Sequence, residues 1–260
     1  MTFLAHDRYC DLIIEETARL RATVSGADLG AQVPSCPDWT LRELAVHTGA
    51  AHRWVHRIVS TRATEEVADE DVPHADGPAT DDAAALDAWL AEGAALCAGA
   101  LREAGPDAAV WAWAPTDRPA LFWARRMTHE TVVHRADAAL AAKDSYEVEP
   151  EVAADALDEW LWLTGLDDSD EAMRVLHGEG NTLHLHATDT NPVLNAEWFV
   201  DFTATPVTWR RGHEKAAVAV RGPLTDLLLV SYRRRSPDAG QVEVLGDRAL
   251  LDGWLAALAW

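Results

Sequence analysis

The chain has 260 residues, 48% of them hydrophobic and 25% charged, and a formal net charge of −21. That balance is globular, and so acidic a surface argues against nucleic acid and anionic membrane as partners; an anionic small substrate would need a local arginine cluster. No apolar run is expected to reach bilayer length, the start MTFLAHDRYC lacks the pattern of a secretory signal, and Cys10, Cys36 and Cys97 are too few and scattered for a disulfide frame or a cysteine zinc site, so a reducing cytoplasm is the expected setting.

In chain order, Leu4, Leu12, Ile13, Leu20 and Val24 fall at helical spacing, and Gly26 and Gly30 end the run. Val33 to Trp39, with Pro34 and Pro37, reads as an irregular connection. Thr40 with Glu43 three residues later predicts a capping box and a helix to about Thr61. Residues 62–80 are polar and acidic and read as a mobile loop. Asp81 or Asp82 caps a third helix to about Glu103, ended by Gly105 and Pro106, and Pro119 opens a fourth that stops near Ala142. Four helices of about 20 residues predict a four-helix bundle.

After Lys143 a helix is expected over about 151–165, then period-two patterns at Thr182–Ala187, Glu197–Thr203, Val207–Arg210 and Ala216–Arg221. Gly222 and Pro223 open the helix TDLLLVSYRRR, and a strand (QVEVLG) and a terminal helix close the chain. The expected organisation is therefore α plus α+β: a helical domain over 1–146 and an α+β domain over 147–260. Twelve tryptophans are many for this length; packing of core and interdomain surfaces is their expected use, over the lining of a pocket.

The stretch FWARRMTHETVVHRAD, residues 122–137, carries the chemistry. Glu130 and His134 are four residues apart, so on a helix they share one face, about 40° from alignment. His47 lies inside the second helix. A histidine from one helix and a Glu-x-x-x-His pair from another can supply two imidazoles and a carboxylate, three ligands with an open fourth position, the arrangement of a catalytic zinc. Spacing alone leaves the alternative open that each is a surface or hydrogen-bonded residue. His129 and His134 are five apart and point about 140° from each other, so a zincin metalloprotease is not expected. His52 and His56 form a further i, i+4 pair expected to be solvent-exposed, and His184 and His186 share one strand face, expected to be merely polar. Arg125 and Arg126 read either as charges at the mouth of a site or as helix-surface ion pairs.

The segments VPSCPDWTLRELAVHTGAAHRW and FWARRMTHETVVHRADA, followed by LHLHATDT, AVAVRGPLTDLLLVSYRRR and VEVLGDRALLDGWLA, resemble in order the mycothiol-dependent maleylpyruvate isomerase family of the DinB-like metalloenzymes. The resemblance implies a DinB-like four-helix bundle and a sterol-carrier-like C-terminal domain. It implies a divalent metal, zinc being expected, on His47, Glu130 and His134, and mycothiol as thiol cosubstrate. It also implies a substrate-binding arginine in the C-terminal domain, best matched by Arg234, with Arg233 as the neighbouring choice. Metal coordination makes a thiolate available near neutral pH. That thiolate would attack an electrophilic small molecule such as maleylpyruvate, as an isomerase or as an S-transferase. A metal-dependent hydrolase using activated water and a non-catalytic binding protein on the same scaffold are the other readings. The oligomeric state is not legible in the sequence.

Overall fold

The computed structural model describes residues 4–79, 82–166 and 175–258. The chain divides into two compact units, Thr2–Tyr146 and Glu147–Trp260. The first contains four long helices, α1 (His6–Ser25), α2 (Leu41–Thr61), α3 (Ala83–Ala104) and α4 (Pro119–Ala142). Around the bundle the neighbours run α1, α3, α2, α4. The termini follow the sequence signals. The Thr40 hydroxyl accepts from the Glu43 amide while the Glu43 carboxylate accepts from the Thr40 amide. Asp82 caps α3 through the Ala84 amide at 2.9 Å, whereas Asp81 lies outside the described residues. Pro119 stands in the first turn of α4.

Helix α4 is buried on nearly all sides, including polar residues that find partners: Arg135 Nε donates to Glu16 on α1 at 2.6 Å, and the Thr128 hydroxyl donates to the Tyr9 carbonyl at 3.1 Å. One end of the core gathers Leu20, Leu41, Leu44, Leu86 and Leu90. Trp54, Trp111 and Trp123 meet edge-on or tilted with ring centres 5.1–6.0 Å apart, so these tryptophans serve packing. Between α2 and α3 the backbones approach at glycine: a methyl on Gly49 would run into the Trp89 ring.

Three expectations need correcting. Residues 32–40 form an antiparallel hairpin, β1 (Gln32–Val33) and β2 (Cys36–Thr40), because Pro34 and Ser35 make a two-residue connection that leaves Val33 opposite Cys36. The acidic segment after α2 is tied down: Trp54 Nε1 donates to the Val67 carbonyl, Trp89 Nε1 to that of His74, and Arg42 Nη2 to that of Pro78, at 2.7–3.0 Å. By length and composition α3 is apolar enough to cross a membrane, because its many alanines raise the mean hydropathy without forming an unbroken run. Three of its charged residues are paired across the bundle, Asp87 with Arg21, Glu92 with Arg53 and Arg102 with Asp11.

The second unit holds α5 (Pro150–Thr164), a five-stranded sheet, α6 (Leu224–Ser231) and α7 (Arg248–Ala257). The strands are β3 (Thr182–Ala187), β4 (Glu197–Asp201), β5 (Thr208–Arg211), β6 (Val218–Gly222) and β7 (Glu243–Gly246), in spatial order β5-β4-β3-β6-β7, with only β3 and β6 parallel. One face carries Leu183, Leu185, Trp198, Val200, Val218 and Val220, all buried. On that side Asp158 of α5 accepts from Trp198 Nε1 at 2.7 Å and from Arg211 at 2.9 Å. Helix α6 ends before the arginine run expected inside it. Arg233 adopts φ 60°, and the Arg233 and Arg234 amides donate back to the Val230 and Leu229 carbonyls at 2.9 and 2.7 Å, a Schellman termination built on a residue other than glycine.

Candidate metal centre

His47 on α2 and Glu130 and His134 on α4 meet at one point. Nε2 of His47 lies 3.1 Å and Nε2 of His134 3.0 Å from the same carboxylate oxygen, Oε1 of Glu130. The three donor atoms all lie within 4.8 Å of one another. The helical spacing explains the pairing on α4, and the packing of α2 against α4 supplies the third group. The two imidazole rings stand edge-to-face, 4.9 Å between centres. The His47 side chain is 40% exposed and that of His134 only 10%, so the cluster is buried on the α4 side and opens past His47.

Both ligand candidates on α4 are held from behind. Nδ1 of His134 is 2.8 Å from Oδ2 of Asp137, a fully buried carboxylate one turn along α4, and Oδ1 of Asp137 accepts from the Ser35 hydroxyl in the hairpin turn. This leaves Nε2 of His134 as the nitrogen facing the cluster. A carboxylate behind a histidine fixes ring orientation and raises ligand basicity, as at many metal sites. Arg126 Nη2 donates to Oε2 of Glu130 at 2.9 Å, so the other oxygen, Oε1, is turned to the imidazoles. The Trp39 ring, 4.7 Å from His47 and 6.1 Å from His134, walls one side.

The electrostatics follow from this crowding. Burial alone would raise the Glu130 carboxyl, but the His134 charge, hydrogen bonds from both imidazoles and Arg126 hold it well below the usual carboxylate range. Burial alone would lower His134, but Glu130 and Asp137 raise it to about 9. Without a cation the cluster therefore keeps a proton where an ion would sit. Two imidazoles and one carboxylate with an accessible side form a donor set for zinc-class divalent ions.

The other histidines of the helical unit lie elsewhere. His129 is buried edge-on against Tyr9. His52, expected to be solvent-exposed, is fully buried with Nε2 2.9 Å from the Thr131 hydroxyl, and burial pushes it down to about 4; His56 faces the Leu96 carbonyl. Arg125 is 2% exposed and Arg126 engages Glu130, so neither stands as a solvated charge at a mouth. Arg233 and Arg234 belong to the other unit. Arg233 is exposed, and half-buried Arg234 donates Nη1 to the Tyr232 carbonyl at 2.9 Å. Sequence reasoning missed Asp137, Trp39 and the role of Arg126. Asp137 and Arg126 were findable, three residues after His134 and four before Glu130 on the same helix face.

Residues 10–139 match the family model described as the mycothiol maleylpyruvate isomerase N-terminal domain, and residues 150–253 match that of the corresponding C-terminal domain. No curated protein matches the chain. Two crystal structures are similar in fold. One is of the mycothiol-dependent maleylpyruvate isomerase, at 17% identity and a TM-score of 0.56, covering 94% of this chain and 95% of that one. The other is of a histidine-to-alanine mutant of the mycothiol-dependent maleylpyruvate isomerase, at 16% identity with the same TM-score and coverage. With its two domain matches in order along the chain, this protein belongs to the mycothiol-dependent maleylpyruvate isomerase family.

Proposed function

We propose that this chain is a metal-dependent enzyme that uses mycothiol to isomerise, or to transfer sulfur onto, an electrophilic small molecule of the maleylpyruvate kind. The observation that carries the reading is the convergence of His47, Glu130 and His134 on one point, with Asp137 behind His134. A divalent ion, zinc by its donor set, held there would lower the pKa of a thiol in its open position so that the thiol ionises near neutral pH. The chain's own residues prepare for this. Asp137 orients the His134 ring, Arg126 restrains Glu130 through Oε2, and the indole of Trp39 shields one flank from water. The more exposed His47 side is where thiol and substrate enter.

Addition of the thiolate to a cis double bond, rotation about the resulting single bond and departure of the thiolate would yield the trans isomer. Displacement of a leaving group would instead leave the sulfur attached. Arg234, with Arg233 beside it, is proposed to bind a substrate carboxylate, since a chain of net charge −21 needs a dedicated cation to hold an anion. The same charge supports a small-molecule partner in place of nucleic acid or a membrane, and three cysteines outside any disulfide fit a reducing cytoplasm.

The test is metal quantification followed by turnover of maleylpyruvate with and without added mycothiol. The reading requires about one equivalent of metal dependent on His47 and His134, and turnover dependent on the thiol. Thiol-independent turnover would instead place a metal-dependent hydrolase on this scaffold.

A further inference from the structure

A second cluster lies on the sheet face opposite the one that carries Trp198 and Arg211. Alternation along β3 puts His184 and His186 on this face. The register sets Glu197 of β4 directly opposite His186, and His213 follows just after β5. Nδ1 of His186, Nδ1 of His213 and Nε2 of His184 lie 2.8, 2.6 and 3.0 Å from one atom, Oε2 of Glu197. The four candidate ligand atoms are all within 4.8 Å of one another.

Two observations point to an ion. His184 is only 5% exposed, and its Nε2, although 3.0 Å from the carboxylate oxygen, is not aligned for a hydrogen bond and is left without one. An unsatisfied buried imidazole nitrogen is costly, and one carboxylate oxygen has only two lone pairs for three imidazoles. The ring arrangement is the second. The three ring centres are 5.2–5.7 Å apart and the planes 77–90° from one another. Imidazoles held tetrahedrally by one ion at about 2.0–2.1 Å have centres roughly 5 Å apart. Of the nearby charges, Glu214 is engaged by Arg210 at 2.7 Å, which leaves Glu197 as the carboxylate of the cluster.

We propose that His184, His186, His213 and Glu197 form a second metal site, structural in kind, for a zinc-class divalent ion. Three imidazoles and one carboxylate suit such ions over calcium or magnesium. Four protein ligands fill a tetrahedron, which marks a closed site. The ion ties the segment after β5 to the paired strands β3 and β4. Nothing in this assignment depends on the chemistry of the helical centre.

The test uses the full-length chain, stripped with a chelator and titrated with Zn(II) against a chromophoric competitor. Wild type is expected to take up two equivalents, His47→Ala/His134→Ala one, and His186→Ala/His213→Ala one. In the His47→Ala/His134→Ala background, Zn(II) is expected to raise the melting temperature, and adding His213→Ala is expected to abolish both uptake and shift. The His213 side chain is 74% exposed, so this variant keeps the metal-free fold, checked by circular dichroism. If His47→Ala/His134→Ala takes up no zinc, or if His186→Ala/His213→Ala still takes up two equivalents, the second site does not exist. A single wild-type equivalent that vanishes only in His186→Ala/His213→Ala upholds this site and removes the helical one.

Discussion

As proposed, the two units would solve one coordination problem with different geometry. In the bundle, helical periodicity aligns Glu130 with His134, and a second helix contributes His47; three donors leave one side accessible. In the sheet, alternation aligns His184 with His186, and cross-strand register contributes Glu197, with His213 arriving just after β5; four donors would close a tetrahedron. Donor count separates the roles: an incomplete set leaves a position for reactants, and a complete set leaves none. Support differs as well. The helical cluster has Asp137, Arg126 and Trp39 behind or beside its ligands, while a buried imidazole of the sheet cluster has no hydrogen bond at its inward nitrogen.

The comparison can be broken most forcefully at His134. His134→Ala should weaken metal binding at the helical centre by more than about 100-fold, the upper range for losing a mere supporting group, and abolish turnover, as read by competition titration and steady-state assay. Next is pH. His134 holds its proton up to about 9, and the metal needs the neutral ring. The sign is therefore fixed: apparent affinity should rise by about tenfold per pH unit from 7 towards 9, with about one proton released per ion bound. Titration in buffers of different ionisation enthalpy checks this, and a flat profile would sink the proton-for-metal exchange. Asp137→Asn should cost roughly 10–100-fold in affinity while leaving the apo fold intact; an unchanged Kd would mean that the carboxylate does not tune the ligand.

Smaller effects concern the scaffold. Gly49→Ala forces a methyl against the Trp89 ring; despite alanine's helix preference it should cost about 1–2 kcal/mol in denaturant unfolding. Arg233→Gly relieves a left-handed residue in the Schellman turn and should change stability by less than about 1 kcal/mol, in the favourable direction. Paired with Arg234→Ala, it separates the two arginines in turnover: the proposal requires loss with Arg234→Ala at unchanged metal content.

Legibility in the sequence followed the range of the interaction. The capping box, the helix starts at Asp82 and Pro119, and the shared face of Glu130 and His134 each depend on residues within one or two turns, and one chain suffices to read them. The hairpin at residues 32–40 was hidden because two prolines in a short run read as irregular. The tie-down of the segment after α2 was hidden because its hydrogen bonds come from tryptophans and an arginine on distant helices. The sheet cluster could not be read from its histidines alone. His184 and His186 looked like a polar strand face, and only register across β4 and the path of the chain after β5 bring Glu197 and His213 to them.

The Thr40 cap has one further consequence. It fixes where α2 begins, and His47 falls two turns later, on the side that meets Glu130. Inserting a single residue between them would swing the imidazole by about 100° around the helix axis. The length of chain from the cap to His47 is thus constrained more tightly than the identity of the residues between, and a substitution scan of that stretch should be far more permissive than a deletion or insertion scan.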